Sequence, residues 1–465
     1  MSTESAVSRA EPASTGAVSE LERYPPGPRV PPAVQMLWWM LRPISFMEAA
    51  RKRYGDVFSV RFIGFERPMV MVSDPEAIRA LYTGHQHGLP PGRTVTLMPV
   101  LGPDSILLLE GEDHLARRRL MLPQFHGERM RSYESIMREI AEREIASWPA
   151  EEPFALHPHM QALTLEVILR AVFGVRRSER AARLRALLPR LVGQTASGRL
   201  QLRVMISSRL RRGDPLEGLR KLMSEIDELV FAEIAERRSD PALAEREDIL
   251  SLLVGARFAD GSAMDDRELR DQLLTLLLAG HETTATALAW TFDLLLRHPP
   301  VLARLREELE GNDGDIDGEY MRAVVAESLR LRPVVPLAGR RLEAELRAGD
   351  WTLPAGTDVT PSIWLTHMRD DVYPEPKAFR PERFLSEPPS KYAWIPFGGG
   401  VRRCLGASFA EFEMRVVLAT VLRSRRLEPV GRAPEQIARR NITFSPRTGT
   451  RVRVRAQHQQ ATIAA

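Results

Sequence analysis

The stretch PFGGGVRRCLG, Pro396 to Gly406, holds the single cysteine of a 465-residue chain. Three glycines ahead of Cys404 permit positive φ and a tight loop whose amides can converge on one atom. A helical pattern, LGASFAEFEMRVVLATVLR, begins directly after the cysteine. The sulfur would therefore sit near a helix N-terminus, where partial positive charge favours thiolate. Arg402 and Arg403 add positive charge, and Gly406 would let a flat group approach the backbone. A lone cysteine is otherwise most often a small buried hydrophobe. A cysteine hydrolase would need a His and an orienting Asn or Asp, and nothing in that chemistry calls for this glycine run. A zinc site wants several Cys or His at short spacing, and Cys404 has no such company. The loop reads as a metal-binding thiolate beside a planar ligand.

The bulk composition sets the limits around that loop. Apolar residues at 44% and charged residues at 27% are an ordinary globular balance, enough for a sizeable core. One cysteine excludes an intramolecular disulfide and points to a reducing, cytoplasmic compartment. The basic excess is only +4, and all but four basic residues (Lys52, Lys221, Lys377, Lys391) are arginines scattered along the chain. No nucleic-acid partner is implied. Residues 1–23 lack an apolar core and read as a disordered tail, as do residues 457–465. The apolar run AVQMLWWML, Ala33 to Leu41, stops at Arg42 and Pro43, far short of the ~20 residues of a spanning helix. It reads as a short packed helix, with contact at a membrane surface as the lesser alternative.

From residue 24 to 456 the chain reads as one domain. DVFSVRF and RPMVMVSDP carry β-branched residues with turn signals between them, the pattern of a hairpin. Pro75 to Arg340 is mostly helical in period. Asp248 and DGSAMDDRELRDQ supply caps and an acidic first turn for a long helix reaching about Arg297. After Arg340 come short strands, a Pro-rich stretch, the cysteine loop, a last helix and a strand-rich end. The expected fold class is mainly α with small β-sheets, in one large domain.

Phe397-x-x-Gly400-x-Arg402-x-Cys404-x-Gly406 resembles the haem-binding loop of the cytochrome P450 family, whose iron is held by a cysteine thiolate. Further motifs stand in the family's order. LLTLLLAGHETTATALAW is apolar nearly all round, so a Glu and two Thr in it are costly without partners. Gly280 weakens this helix and makes room for something beside it. Left to general rules, the threonines would bond back to the preceding turn and Glu282 would face solvent. Ala279 to Thr284 is similar to the family's oxygen-activation segment. By that resemblance Thr283 would hydrogen-bond the oxygen molecule, Glu282 would help relay protons, and His281 would be a packing or surface residue. Glu327-x-x-Arg330 with Arg383 resembles the family's buried Glu–Arg–Arg cluster, which would hold the Pro-rich stretch and cysteine loop in place. His114 and Arg118, four apart on one helix face, and Arg340 and Arg402 would meet the two haem propionates, with Arg341 as competitor to Arg340.

The resemblance covers about Tyr24 to Arg455 and implies a P450-like domain that binds haem b through Cys404. Its implied activity is monooxygenation by O2 of an apolar small molecule, a fatty acid or terpenoid ahead of a polyketide. Gly88 to Leu109 and Leu187 to Met205 would line the pocket. With no flavin or nicotinamide motif after Cys404, electrons would come from a ferredoxin and an NAD(P)H-dependent ferredoxin reductase. Arg117, Arg119, Arg403 and Arg415 are candidate docking charges for that partner. The expected protein is a monomer with no integral membrane segment. Two rival readings remain: a hydrogen-peroxide-driven peroxygenase, and a non-catalytic haem or ligand-binding protein.

Overall fold

A computed structural model describes residues 23–455, apart from 64, 66, 85–87, 90–91, 126, 128, 175–177, 197–215, 312–314, 387 and 441. Both expected tails, all but residue 23, lie outside the described residues, as do positions 90–91 and 197–205 of the expected pocket segments.

Among the described helices are α1 (Pro32–Leu41), α2 (Pro43–Tyr54), α3 (Pro75–Thr83), α4 (Gly111–Met121), α5 (Leu156–Phe173), α6 (Asp266–Arg297), α7 (Glu319–Leu331) and α8 (Ala407–Ser424), of which α3 to α8 position the site. The first three begin on proline, whose fixed φ suits the first helical turn. Helix α5 stops where Gly174 turns left-handed at φ 65°. The 32-residue α6 opens with a capping box: the Asp265 side chain accepts from Glu268 N–H, and Glu268 reaches back to Asp265 N–H. Asp248 does not belong to that start. It caps a separate short helix, Ile249–Gly255, accepting from Ser251 N–H at 3.0 Å.

The expected hairpin is present. Strand β1 (Val57–Val60) pairs antiparallel with β2 (Met69–Val72), Val57 opposite Val72. The edge pair β3 (Arg340–Arg341) and the parallel neighbour β4 (Asp358–Pro361) complete a sheet of order β1-β2-β4-β3. A second hairpin joins β5 (Ile437–Arg440) to β6 (Thr443–Pro446). One hydrophobic core runs through the helices, and a smaller one lies under α3 and the sheet. Gly280 decides how closely α5 and α6 approach. A Cβ there would sit 3.1 Å from Ile168 Cδ1, so the room it makes is taken by a neighbouring helix.

Candidate functional site

The cysteine loop doubles back on itself, Cys404 N–H donating to Phe397 O at 2.9 Å. Its glycines serve two purposes. Gly398 and Gly400 adopt φ of 65° and 64°, which an L side chain resists. Gly399 is needed for space, because a Cβ there would lie 2.2 Å from Tyr82 Cδ2 of α3. Gly406 is the N-cap of α8, and its N–H bonds to the Cys404 sulfur.

Enclosed by protein yet accessible to solvent, the Cys404 side chain faces a recess and not the outer surface. Burial pushes its thiol pKa up, against the pull of the Gly406 amide, Arg403 and Arg118. The helix-terminus expectation of a favoured thiolate is thus corrected: desolvation of the charged form outweighs the local positive field. A coordinating metal ion deprotonates a thiol outright, so the shift does not oppose ligation.

Helix α6 also opens onto accessible space. It is buried from Leu269 to Leu277 and again from Thr284 to Leu296, while Ala279 is exposed and Glu282 and Thr283 are partly so. Both threonines bond back as general rules expect: Thr283 Oγ1 donates to Ala279 O at 2.8 Å and Thr284 Oγ1 to Gly280 O at 3.1 Å. With its proton so engaged, Thr283 Oγ1 has lone pairs to offer a protonated oxygen or a water. Glu282 is not left to solvent, since Gln161 of α5 donates its side-chain amide to the carboxylate. His281 is a packing residue, its Nδ1 2.8 Å from Leu277 O and its carbonyl accepting from Thr164 Oγ1 at 2.9 Å.

Beneath the loop, Glu327 and Arg330 of α7 are fully buried. Arg330 Nε and Nη2 donate to the two Glu327 oxygens at 2.6 and 2.8 Å, and Arg383 Nε donates to Glu327 Oε1 at 3.0 Å. Arg330 Nη1 also reaches the carbonyls of His367 and Pro376, both at 2.8 Å, tying α7 to the Pro-rich stretch.

The four basic candidates come from α4, which carries His114 and Arg118, from β3, which carries Arg340, and from the loop itself, which carries Arg402. His114 is buried on α4, and Arg118, one turn on, is half-buried and feels the charge of Cys404. Arg402 Nη2 donates to Leu109 O at 2.6 Å. Buried Arg340 donates to Gly339 O and, at 3.4 Å, to Gly399 O of the loop. Its competitor Arg341 is committed elsewhere, bonding Asp358 at 2.9 and 3.2 Å. Of the candidate docking charges, Arg117 is held by Asp113 and Glu268, and Arg415 by Asp317. Arg119 and Arg403 remain exposed.

The sequence profile of one family, described as Cytochrome P450, matches residues 25–452. The chain is a member of the cytochrome P450 family. It is 42% identical over 437 residues to a Mycobacterium tuberculosis relative named cytochrome P450 135B1, covering 93% of this chain and 91% of that one. It is 39% identical to cytochrome P450 138 of the same organism, over 93% and 96% of the two chains. Among solved structures, retinoic-acid-bound cyanobacterial CYP120A1 superposes with a TM-score of 0.79 at 24% identity, over 93% of this chain and 99% of that one. The cytochrome P450DA haem domain gives 0.80 at 23%, over 93% and 98%. Both share the fold. As a P450 the chain is a haem-thiolate monooxygenase, an oxidoreductase.

The residues present fit haem. Arg118 and Arg340 make no ion pair among the described residues, and burial lowers the pKa of each guanidinium. Two desolvated cations without acids suit a planar ligand bearing two carboxylates. A Cβ built on Gly406 meets no protein atom within 4 Å, so a flat group has room beside the backbone there. Sequence reasoning missed three supporting residues of this P450. Gln161 holds Glu282 from 121 positions away, which no local pattern signals. Tyr82 packs against the glycine run from α3. His367 sits between Arg330 and the approach to the cysteine loop, and its only signal was a histidine in an apolar run.

Proposed function

We propose that Cys404 would hold the iron of haem b through its thiolate and that this P450 oxygenates an apolar small molecule, a fatty acid or terpenoid, by hydroxylation or epoxidation. The observation that carries the reading is the one cysteine of the chain, accessible in its recess, with the Gly406 amide directed at its sulfur. His114, Arg118, Arg340 and Arg402 would hold the propionates. When bound, haem supplies O2 activation and transfer of one oxygen atom to a C–H or C=C bond, the thiolate pushing electron density toward O–O cleavage.

The protein's own part is positional and electrostatic. Gly406 N–H stabilises negative charge on the Cys404 sulfur. Thr283 Oγ1, its proton given to Ala279 O, accepts a hydrogen bond in the α6 opening and keeps a water or protonated oxygen there. Glu282 and Thr283 do not bond each other; each has its own partner. A proton passing from Glu282 would therefore move through a water, with Gln161 holding the carboxylate in place. Electrons would come from a ferredoxin and an NAD(P)H-dependent ferredoxin reductase, with Arg119 and Arg403 as the exposed docking charges.

The deciding experiment is the absorption spectrum of dithionite-reduced protein with and without carbon monoxide. A strongly red-shifted Soret band in wild type, lost in Cys404→Ser, supports the ligand assignment. A band at the position of histidine-ligated haem overturns it. Turnover on hydrogen peroxide with no electron donor would favour the peroxygenase instead, and no oxygen uptake with NAD(P)H and redox partners would favour a ligand-binding protein.

A further inference from the structure

Helix α1 packs Met36, Trp38 and Trp39 against the core and still leaves a second apolar stripe in solvent. A helix on a protein surface ordinarily buries its apolar stripe and shows water its polar one. Here the one residue of the helix that is fully enclosed is a glutamine. Gln35 is fully buried, donates from Nε2 to the carbonyls of Pro28 and Val30 at 2.9 Å, and accepts from Arg61 N–H at 2.9 Å. Those bonds fix the rotation of the helix, because an unpartnered amide in that position costs about 1–3 kcal/mol. The consequence falls on the other side. Ala33, Val34, Leu37, Met40 and Leu41, spaced by three and four residues, all face outward, Leu37 at 56% and Leu41 at 71% exposure.

The stripe continues onto neighbouring elements. Ile63, 61% exposed, lies two residues beyond Arg61, whose amide Gln35 holds. Ile442, 67% exposed, lies between β5 and β6, and Arg439 of β5 places its guanidinium 6.0 Å from the Trp39 ring centre. Trp38 and Trp39 are half-buried along the helix, the Trp39 ring centre 6.2 Å from that of Phe62 and 6.3 Å from that of Phe46. The surroundings are cationic. Arg29, Arg42 and Arg440 are exposed, Arg61 and Arg439 partly so, and α1 itself carries no acidic residue. In the flanking segment from Arg23 to Ile63 the acids are Glu48, which pairs with Lys377, and Asp56, which pairs with Arg51 and Arg369.

We propose that this face rests on an anionic lipid surface, with Leu37, Met40 and Leu41 entering the boundary between headgroups and acyl chains. Trp38 and Trp39 pack inward on Phe46 and Phe62 and back the stripe with their half-exposed edges, at the level where an apolar ring with one polar edge is at home. The flanking arginines meet lipid phosphates, each adding on the order of 1 kcal/mol near an anionic leaflet. None of the described helices is long and apolar enough to cross a membrane, so the contact is interfacial and reversible. A second copy of the chain fits less well, because a two-fold contact sets the same arginines against each other. Residues 1–22 offer only Met1, Val7, Pro12, Val18 and Leu21 as apolar side chains larger than alanine, a sparse supply to set against the stripe. The inference rests on this surface alone and is independent of the haem reading.

The test is cosedimentation of the full-length haem-loaded protein with vesicles of phosphatidylcholine, with and without phosphatidylglycerol. Wild type is expected to pellet with the mixed vesicles, and less at high salt. The double substitution Leu37→Glu and Leu41→Glu should lower the partition coefficient at least about tenfold, with the carbon-monoxide spectrum and melting temperature unchanged. Arg29→Glu with Arg42→Glu should remove the preference for anionic vesicles. Failure to bind either vesicle, or binding that the leucine variant retains, overturns the proposal. So does a concentration-dependent dimer in sedimentation that the leucine variant abolishes while wild type ignores vesicles.

Discussion

The Ile395 amide donates to His367 Nε2 at 2.9 Å, while His367 Nδ1 lies 3.0 Å from Arg330 O. The carbonyl accepts, so Nδ1 carries the proton and Nε2 is the acceptor. One buried ring thus fastens the residue ahead of the cysteine loop to the helix of the Glu–Arg pair. His367→Phe leaves both backbone groups unpaired. We expect a loss of roughly 2–4 kcal/mol in urea unfolding and faster haem transfer to a scavenger protein.

The same histidine makes stability depend on pH in a defined direction. Burial first, then Arg330, holds its pKa down to about 3. The unfolded chain takes up that proton near pH ~6.5. Its contribution is therefore full above that pH and is lost as pH falls toward 3. Between pH 6 and 4 the stability advantage of wild type over His367→Phe should shrink by roughly 1.4 kcal/mol per pH unit. A constant difference across that range would contradict the neutral, buried assignment. His157, held down to about 4 by burial and Arg440, should show a shorter version of the same slope.

Glu327 joins Arg330 and Arg383 in a cluster with no water-exposed member to absorb a change, Arg383 being the least buried. Glu327→Ala leaves two desolvated guanidiniums and should cost about 3–5 kcal/mol. The yield of folded, haem-loaded protein would register it. Glu327→Gln, which keeps an acceptor, should lose less.

Two glycines of the loop should fail differently. Gly399→Ala drives a methyl into Tyr82 and should destabilise the protein with or without haem, by roughly 1–3 kcal/mol. Gly406→Ala meets no protein atom and has an ordinary φ of −90°. Its apoprotein should melt as wild type does, while haem binds more weakly. Equal loss in both forms would mean that the space beside Gly406 is not used by the ligand.

Gln161→Leu removes the donor that holds Glu282. In a reconstituted system the share of NAD(P)H electrons ending in hydrogen peroxide should rise roughly two- to tenfold, with a larger solvent isotope effect. Glu282→Gln should slow product formation more, about 10²-fold. Unchanged coupling in Gln161→Leu would separate the hydrogen bond from the relay.

What the sequence determined by itself was whatever depends on short-range order. The thiol loop, the glycines that shape it, the long helix with its capping box, the β1–β2 hairpin and the Glu-x-x-Arg turn all rest on residues a few positions apart. Local backbone preference and side-chain spacing suffice to specify such features. Tertiary structure alone decided the rest. The Cys404 thiol is pushed up and not down, because the density of protein around it outweighs the helix end that local reasoning sees. Gln161 reaches Glu282 because α5 and α6 pack closely at Gly280, and Arg340 rather than Arg341 turns inward because Asp358 on the adjoining strand takes the other. Helix α1 leaves one apolar stripe in solvent because Gln35 finds three backbone partners inside and fixes the rotation. In each case a contact between distant segments sets desolvation, pairing or rotation, and no window of sequence contains both halves of it.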